Sequence, residues 1–309
     1  MSAFAAIIER QDLTILDGGL ATELEAEGHS LGGHLWSAEL LFSDPDAIVT
    51  AHKSYLRAGA QILVTASYQA SRAGFHQRGI DADEADLLIA SSVALARRAI
   101  AEFKDESGQD VADILVAASI GPYGAVLSDG SEYTGDYGVP RQYLQDFHEQ
   151  RLALLDASGA DILACETIPA YDEAAVLAEL LRDARIPAWV SFSCRNATEI
   201  SDGTPIAAAA GLFRDHSQVL ALGVNCTVPR YVVALLKAIA AAAPGKGLIA
   251  YPNSGEHYEA GDNSWSGQPD IRSFSAVAAE WRAAGADIIG GCCRVGPADI
   301  RALVESLTR

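Results

Sequence analysis

One local phrase occurs three times in this chain, and it narrows the folds open to it. It reads YLRAGAQILVTAS at residues 55–67, LLDASGADILACET at 154–167 and EWRAAGADIIGGCC at 280–293. Each copy starts as the end of an amphipathic helix, reaches a glycine suited to a left-handed C-cap, and enters a short apolar run. Runs that are apolar on both faces mark strands of a buried parallel sheet. Scanning for such runs predicts eight strands, at 13–17, 61–65, 114–120, 161–166, 188–193, 219–226, 248–253 and 287–293. Helical stretches lie between them, among them 84–104, 173–184 and 230–243. Strands alternating with helices imply right-handed βαβ crossovers. Eight units of this kind predict a (β/α)8 TIM barrel. The alternative, a doubly wound open sheet, lacks support because no G-x-G-x-x-G follows the first strand.

No Ser/Pro-rich linker or shift in composition divides residues 1–309, so a single domain is expected. The long segments HSLGGHLWSAELLFSDPDA and GPYGAVLSDGSEYTGDYGVPRQ follow strands. In a barrel they would lie over the catalytic face.

Charge and cysteine content exclude several classes of function. A formal net charge of −19 argues against nucleic acid, which needs basic patches. An acidic surface mildly favours a cationic ligand, though acidity also serves solubility. The N-terminus MSAFAAIIERQDLTILDGG lacks the basic start and long apolar centre of a secretory signal. The most apolar later stretch, YVVALLKAIAAAAPG, is interrupted by Lys237 and ends near Pro244, too short to span a bilayer. The expectation is a cytoplasmic protein with neither membrane nor nucleic-acid partner. Five cysteines is an odd and sparse number, which points to reduced thiols serving a metal or catalysis.

The C-terminal ends of barrel strands converge on one mouth. Read in order, those ends carry Asp17, Thr65 with Ser67, Gly121, Glu166 with Thr167, Ser193, Asn225 with Cys226, Asn253, and Cys292 with Cys293. Cys226 ends the sixth strand and the Cys292/Cys293 pair ends the eighth. Thiolates favour soft or borderline metals, with zinc the commonest. Cys165 and Cys194 fall one residue off the mouth positions and read as core. Three converging cysteines leave a tetrahedral zinc one open position, the mark of a catalytic rather than a structural site. Gly290 and Gly291 suit a backbone bending closely around such an ion.

Three thiolates leave a metal little Lewis acidity, so activation of water is a poor fit. Activation of an incoming thiol fits better. A free thiol is only a few per cent ionised at neutral pH, and coordination deprotonates it. Asp17 and Glu166 would then hold an ammonium group on the same substrate, and general acid/base work is the second reading for them.

Simpler readings stand beside each of these. Adjacent cysteines are often only small hydrophobes. Asp17 would serve as the N-cap of GLATELEAEG, and Glu166 as half of a structural ion pair. Arg294 suits a local salt bridge. His257 suits a solvated loop. Trp36, Tyr68 and Trp265 would either face a cation or anchor loops.

At these residues the chain resembles the homocysteine S-methyltransferase family over nearly its whole length. The resemblance is carried by LDGGLATELE, LWSAELL, TASYQAS, GSEYTGDYG, ACETIP, SDGTP, GVNC, YPNSGEHY and GGCCR. The pairing of GVNC with GGCC is the specific part. GSEYTGDYG and YPNSGEHY are most similar to the S-methylmethionine-dependent bacterial and plant branch. The cobalamin-dependent relatives need further domains for which this chain has no room. The resemblance implies zinc on Cys226, Cys292 and Cys293, with the homocysteine sulfur as fourth ligand. It implies that Asp17 and Glu166 hold the homocysteine amino group, with Thr65, Ser67 and Asn225 in the substrate site. Trp36 falls where the betaine-dependent branch lines its donor pocket. That branch has an aromatic residue immediately after the glutamate, whereas this chain has Thr167.

The expected reaction is transfer of a methyl group from a sulfonium, S-methylmethionine or S-adenosylmethionine, to homocysteine, forming methionine. Rival readings are a betaine-type or other donor, a zinc or thiol sensor without turnover, and a barrel hydrolase using Asp17 and Glu166.

Overall fold

The structure, a computed structural model, describes residues 2–10, 13–31, 35–259, 264–266 and 274–307. Eight parallel strands form a barrel: β1 Thr14–Ile15, β2 Ile62–Val64, β3 Leu115–Ile120, β4 Ile162–Ile168, β5 Ala188–Phe192, β6 Val219–Asn225, β7 Gly247–Tyr251 and β8 Ile288–Ile289. Neighbours pair in chain order from β2 to β8, and β8 pairs with β1. A bridge from Leu16 to Ile62 closes the ring, with Gln61 N donating to Ile15 O at 2.8 Å and Asp17 N to Ile62 O at 3.1 Å. Each predicted strand overlaps one of these eight, with β4 running two residues past its predicted end and β7 starting one residue early. The predicted 287–293 run is shorter than expected. Regular pairing stops at Ile289, and the cysteines beyond it lie in a turn. The helix predicted at 84–104 runs Ala82–Ser107, and the one at 173–184 runs Tyr171–Leu180. The segment at 230–243 opens as a 3-10 turn, Pro229–Tyr231, before its helix Val232–Ala242.

The repeated phrase has a physical basis at two positions. Gly59, Gly159 and Gly285 all take positive φ, at 101°, 88° and 102°, the left-handed turn that releases the chain from helix to strand. Two residues later comes Gln61, Asp161 or Asp287. Each side chain accepts a hydrogen bond from a backbone N–H of the preceding strand: Ile15 at 3.0 Å, Val116 at 2.7 Å and Leu248 at 2.9 Å. A buried N–H left unpaired is costly, so this polar residue secures the lower edge of the barrel.

The core has two layers. The outer one lies between sheet and helices. The inner one fills the barrel with Leu16, Ile62, Leu115, Ile162, Trp189, Ile249 and Ile288, together with Phe4 and Ile7 of the helix Ala3–Arg10. Phe4 is fully buried and its ring lies 6.0 Å from that of Trp189. The N-terminal helix thus plugs the barrel end opposite the mouth. Among the described residues no helix is long and apolar enough to cross a membrane.

Candidate active site

β8 ends at Ile289, and the next residues are stitched to its neighbours. Gly291 N donates to Asp17 O at 3.0 Å, Cys292 N to Pro252 O at 2.9 Å, and Val295 N closes a turn onto Cys292 O at 3.1 Å. A Cβ on Gly290 would lie 2.6 Å from Asp17 O, and one on Gly19 would lie 2.6 Å from Cys292 O. Gly290 and Gly291 were expected to let the backbone bend closely around an ion. Gly290 and Gly19 instead let the ends of β1 and β8 touch, which locks the cysteine turn against Asp17.

Cys226 follows β6 directly, with φ at +44°. Its sulfur and those of Cys292 and Cys293 all lie within 4.8 Å of one another. Cys293 Sγ is 3.9 Å from each of the other two. The Cys226 and Cys292 sulfurs are in contact as a disulfide pair, with Cα atoms 5.7 Å apart. Three free thiols were expected here. Sulfurs this close are either oxidised to one another or held apart by a shared ion. Around zinc, with Zn–S near 2.3 Å, tetrahedral geometry spaces sulfurs by about 3.8 Å. The two Cys293 separations match that spacing and the Cys226–Cys292 contact is shorter, so the set suits a borderline cation with three protein ligands once that pair is reduced and parted. Cys165 and Cys194 are buried away from the cluster, and burial pushes the Cys165 thiol up to about 12 and that of Cys194 higher still.

Asp17 is buried, and its Oδ2 accepts from Val64 N at 2.8 Å. It caps no helix: Leu20–Ala26 starts after Gly19 without a side-chain cap. Burial raises its pKa well above the usual carboxylate range, and the nearby charge of Glu166 adds to the rise. Glu166 is buried at the end of β4, accepts from Ser119 Oγ and is hydrogen-bonded to Tyr251. Burial pushes its carboxyl up to about 7 against these bonds. Neither carboxylate has an ion-pair partner among the described residues. The structural ion pair considered for Glu166 is therefore not what holds it.

Beneath the cavity the barrel interior turns polar. Trp189 Nε1 donates to Tyr251 Oη at 3.1 Å, and Ser191 Oγ lies 2.6 Å from the same oxygen. Ser191 also donates to Asn225 Oδ1 at 2.8 Å. Asn225 clasps Thr167, accepting from its N–H at 2.7 Å and donating to its Oγ1 at 2.6 Å. Thr167, with φ at +60°, is held in the left-handed region by this clasp. Asn225 lines the cavity with its Oδ1 and one amide N–H already engaged, which suits it to shaping the site. Thr65 lines the cavity as well, but Ser67 does not. It is fully buried behind Thr65, 2.8 Å from its Oγ1, and donates to Ser119 O. Trp36 and Tyr68 form part of the wall, Trp36 with φ at +44°. Arg294 points away into an exposed ion pair, its Nε 3.3 Å from Glu256 Oε2. The side chains of His257 and Trp265 fall outside the described residues.

Two wall residues escaped the reading of strand ends. Tyr251 closes β7, two residues before the predicted tip at Asn253. Glu132 lies in the long connection after β3, where no periodicity marks a side chain as buried. It is 6 % exposed, and burial pushes its carboxyl up to about 7.

This arrangement has close counterparts. The family model described as Homocysteine S-methyltransferase matches residues 14–307. The chain is 47 % identical over 301 residues to Homocysteine S-methyltransferase of Escherichia coli (strain K12), covering 96 % of each chain. It is 42 % identical to Homocysteine S-methyltransferase YbgG of Bacillus subtilis (strain 168), covering 97 % of this chain and 96 % of the relative. The solved structure of the homocysteine methyltransferase MmuM from Escherichia coli in its metallated form superposes with a TM-score of 0.86 at 44 % identity, covering 97 % of this chain and 98 % of that one. Matched over almost every residue from β1 to the last helix, the chain belongs to the homocysteine S-methyltransferase family.

Proposed function

We propose that this enzyme takes the methyl group from a sulfonium, S-methylmethionine in the first instance, and that Cys226, Cys292 and Cys293 hold zinc. The observation that carries the reading is a juxtaposition: three sulfurs within 4.8 Å of one another share a cavity with two buried carboxylates that lack ion-pair partners among the described residues. Zinc, when bound there, supplies thiol activation by stabilising a coordinated sulfur as thiolate. Asp17 and Glu166 bind the α-ammonium of homocysteine. That cation replaces water lost on burial and draws both carboxyls to their ionised form. Thr65 borders the same pocket, and Ser67 fixes its rotamer. The Asn225–Thr167 clasp keeps the Cys226 turn in place. Trp36 and Tyr68 present aromatic faces to the donor cation and exclude water.

The bookkeeping is simple. The homocysteine thiol gives up its proton, its sulfur forms a bond to the methyl carbon, and the carbon–sulfonium bond breaks to release a neutral thioether. The chain contributes alignment, which accounts for a large share of the rate in a two-substrate displacement. The cytoplasm, a reducing compartment, would keep the Cys226–Cys292 pair open for the ion. Methionine formation from homocysteine, assayed with S-methylmethionine and with S-adenosylmethionine, tests the proposal. Turnover with S-methylmethionine supports it. Turnover with betaine alone would replace the donor assignment.

A further inference from the structure

Among the described residues, the mouth holds one charged group to which the proposed function assigns no task. Glu132 sits in the 3-10 turn Ser131–Tyr133, and its side chain lines the cavity. It is 6 % exposed, and its Oε2 is buried with no hydrogen-bond partner among the described residues. A carboxylate oxygen in that state is costly, so a fold that places one there needs a ligand to satisfy it.

The connection is built to hold this carboxylate down. A Cβ on Gly124 would lie 2.6 Å from Glu132 N and 2.6 Å from the Tyr137 ring, so only glycine lets the turn seat. Tyr137 Oη donates to buried Glu173 at 2.8 Å, and Tyr123 N donates to the same carboxylate at 2.7 Å. From the other side Ser193 Oγ donates to Glu132 O at 3.2 Å. Glu132 is also distinct from the Asp17–Glu166 pair. Tyr68 and Cys293 feel the charge of both Glu132 and Glu166, whereas the carboxylate charge felt by Asp17 is that of Glu166.

Two substrates that each carry an α-ammonium group meet in this reaction, and the first pair of carboxylates is taken by that of homocysteine. An orphan acceptor oxygen needs an N–H or O–H donor, which a sulfonium lacks and an ammonium supplies. The ammonium also keeps its charge through methyl transfer. A carboxylate set on the sulfonium would favour the ground state, where that charge is greatest, and slow the reaction. We propose that Glu132 binds the α-ammonium of the methyl donor and so selects amino-acid sulfoniums over sulfoniums that lack an amino group. This rests on the reading of Asp17 and Glu166 as the homocysteine site.

The test compares wild type, Glu132→Gln and Glu132→Asp with S-methylmethionine and with its des-amino analogue, 4-(dimethylsulfonio)butanoate. Loss of a charge-assisted hydrogen bond should raise the KM for S-methylmethionine about 10- to 100-fold in Glu132→Gln. The KM for homocysteine and the rate with the des-amino donor should stay within about twofold of wild type, and Glu132→Asp should recover part of the loss. The ligand-free Glu132→Gln protein should melt no lower than wild type, because an unpaired carboxylate has been removed. An unchanged S-methylmethionine KM, or equal losses with both donors, overturns the assignment of Glu132. A raised homocysteine KM would place Glu132 in the acceptor site and overturn it too. Wild type that forms no methionine with any sulfonium would instead overturn the functional reading beneath it.

Discussion

The two ends of this barrel are built from the same strands and obey opposite rules. At the plugged end Phe4, Trp189 and the aliphatic inner core bury apolar surface, and the polar residues Gln61, Asp161 and Asp287 each pair with a strand N–H. At the mouth Asp17, Glu132 and Glu166 are buried without ion-pair partners among the described residues, and three residues of the cavity wall, Trp36, Thr167 and Cys226, take positive φ. One end gathers stability and the other spends it on arrangement. Substitutions at the mouth should therefore cost function while sparing the fold, and substitutions at the plug should do the reverse.

The strongest test of that contrast is Cys292→Ala. With one of three sulfurs gone, the protein should lose stoichiometric zinc and at least about a thousandfold in methionine formation, yet keep a cooperative melting transition. Metal analysis and turnover on the same sample check it, and retained methyl transfer would break the contrast. At the other end Phe4→Ala should cost about 3–5 kcal/mol in denaturant unfolding while kcat per folded molecule stays unchanged.

Glu166→Gln sharpens the account of the mouth, with homocysteine binding expected to weaken about 10- to 100-fold. The pH dependence follows from the raised carboxyls. Glu166 is held near 7 against an ordinary 4.5, and Asp17 is raised well above its ordinary value. Such groups favour the folded, ligand-free state while protonated. That contribution is present below about 4.5 and is lost as pH climbs through 7. Ligand-free protein should thus lose stability between pH 5 and 8, and Glu166→Gln should flatten the loss. An ammonium ligand favours the ionised carboxylates, so affinity should rise with pH over the same window, with proton release on binding. Calorimetry with a thiol-free amino acid, in buffers of different ionisation enthalpy, separates this proton from the thiol's. The smallest effect belongs to Cys165→Ala, outside the cluster, which should cost roughly 1 kcal/mol and leave zinc content intact.

The parts legible in the sequence are those written in local chemistry. Continuous apolar runs announced all eight strands, and Gly59, Gly159 and Gly285 announced the turns into three of them. The strand-tip rule then brought Asp17, Glu166, Cys226, Cys292 and Cys293 to one cavity. What the sequence hid depends on neighbours distant in the chain. Gly290 looked set to let the backbone bend closely around an ion, but its close neighbour is the carbonyl of Asp17. Ser67 looked like a wall residue, but the chain leaves β2 at Val64 and turns, which carries Ser67 behind Thr65. Glu132 sits in a connection that reads as lying over the catalytic face, but nothing in its local sequence says which side chain turns inward; the packing of Gly124 and Tyr137 seats it there. The convergence of Cys226 with Cys292 was legible from the strand tips, but the direct pairing of their sulfurs was not, because strand-tip position sets no sulfur–sulfur distance.

Under the proposed function, three protein sulfurs hold one zinc and leave a position for the substrate's sulfur. X-ray absorption at the zinc edge, before and after addition of homocysteine, reads this directly. The account predicts three sulfur neighbours near 2.3 Å in the resting protein and four when homocysteine is present. Four protein sulfurs at rest, or a sulfur count that homocysteine leaves unchanged, would contradict it.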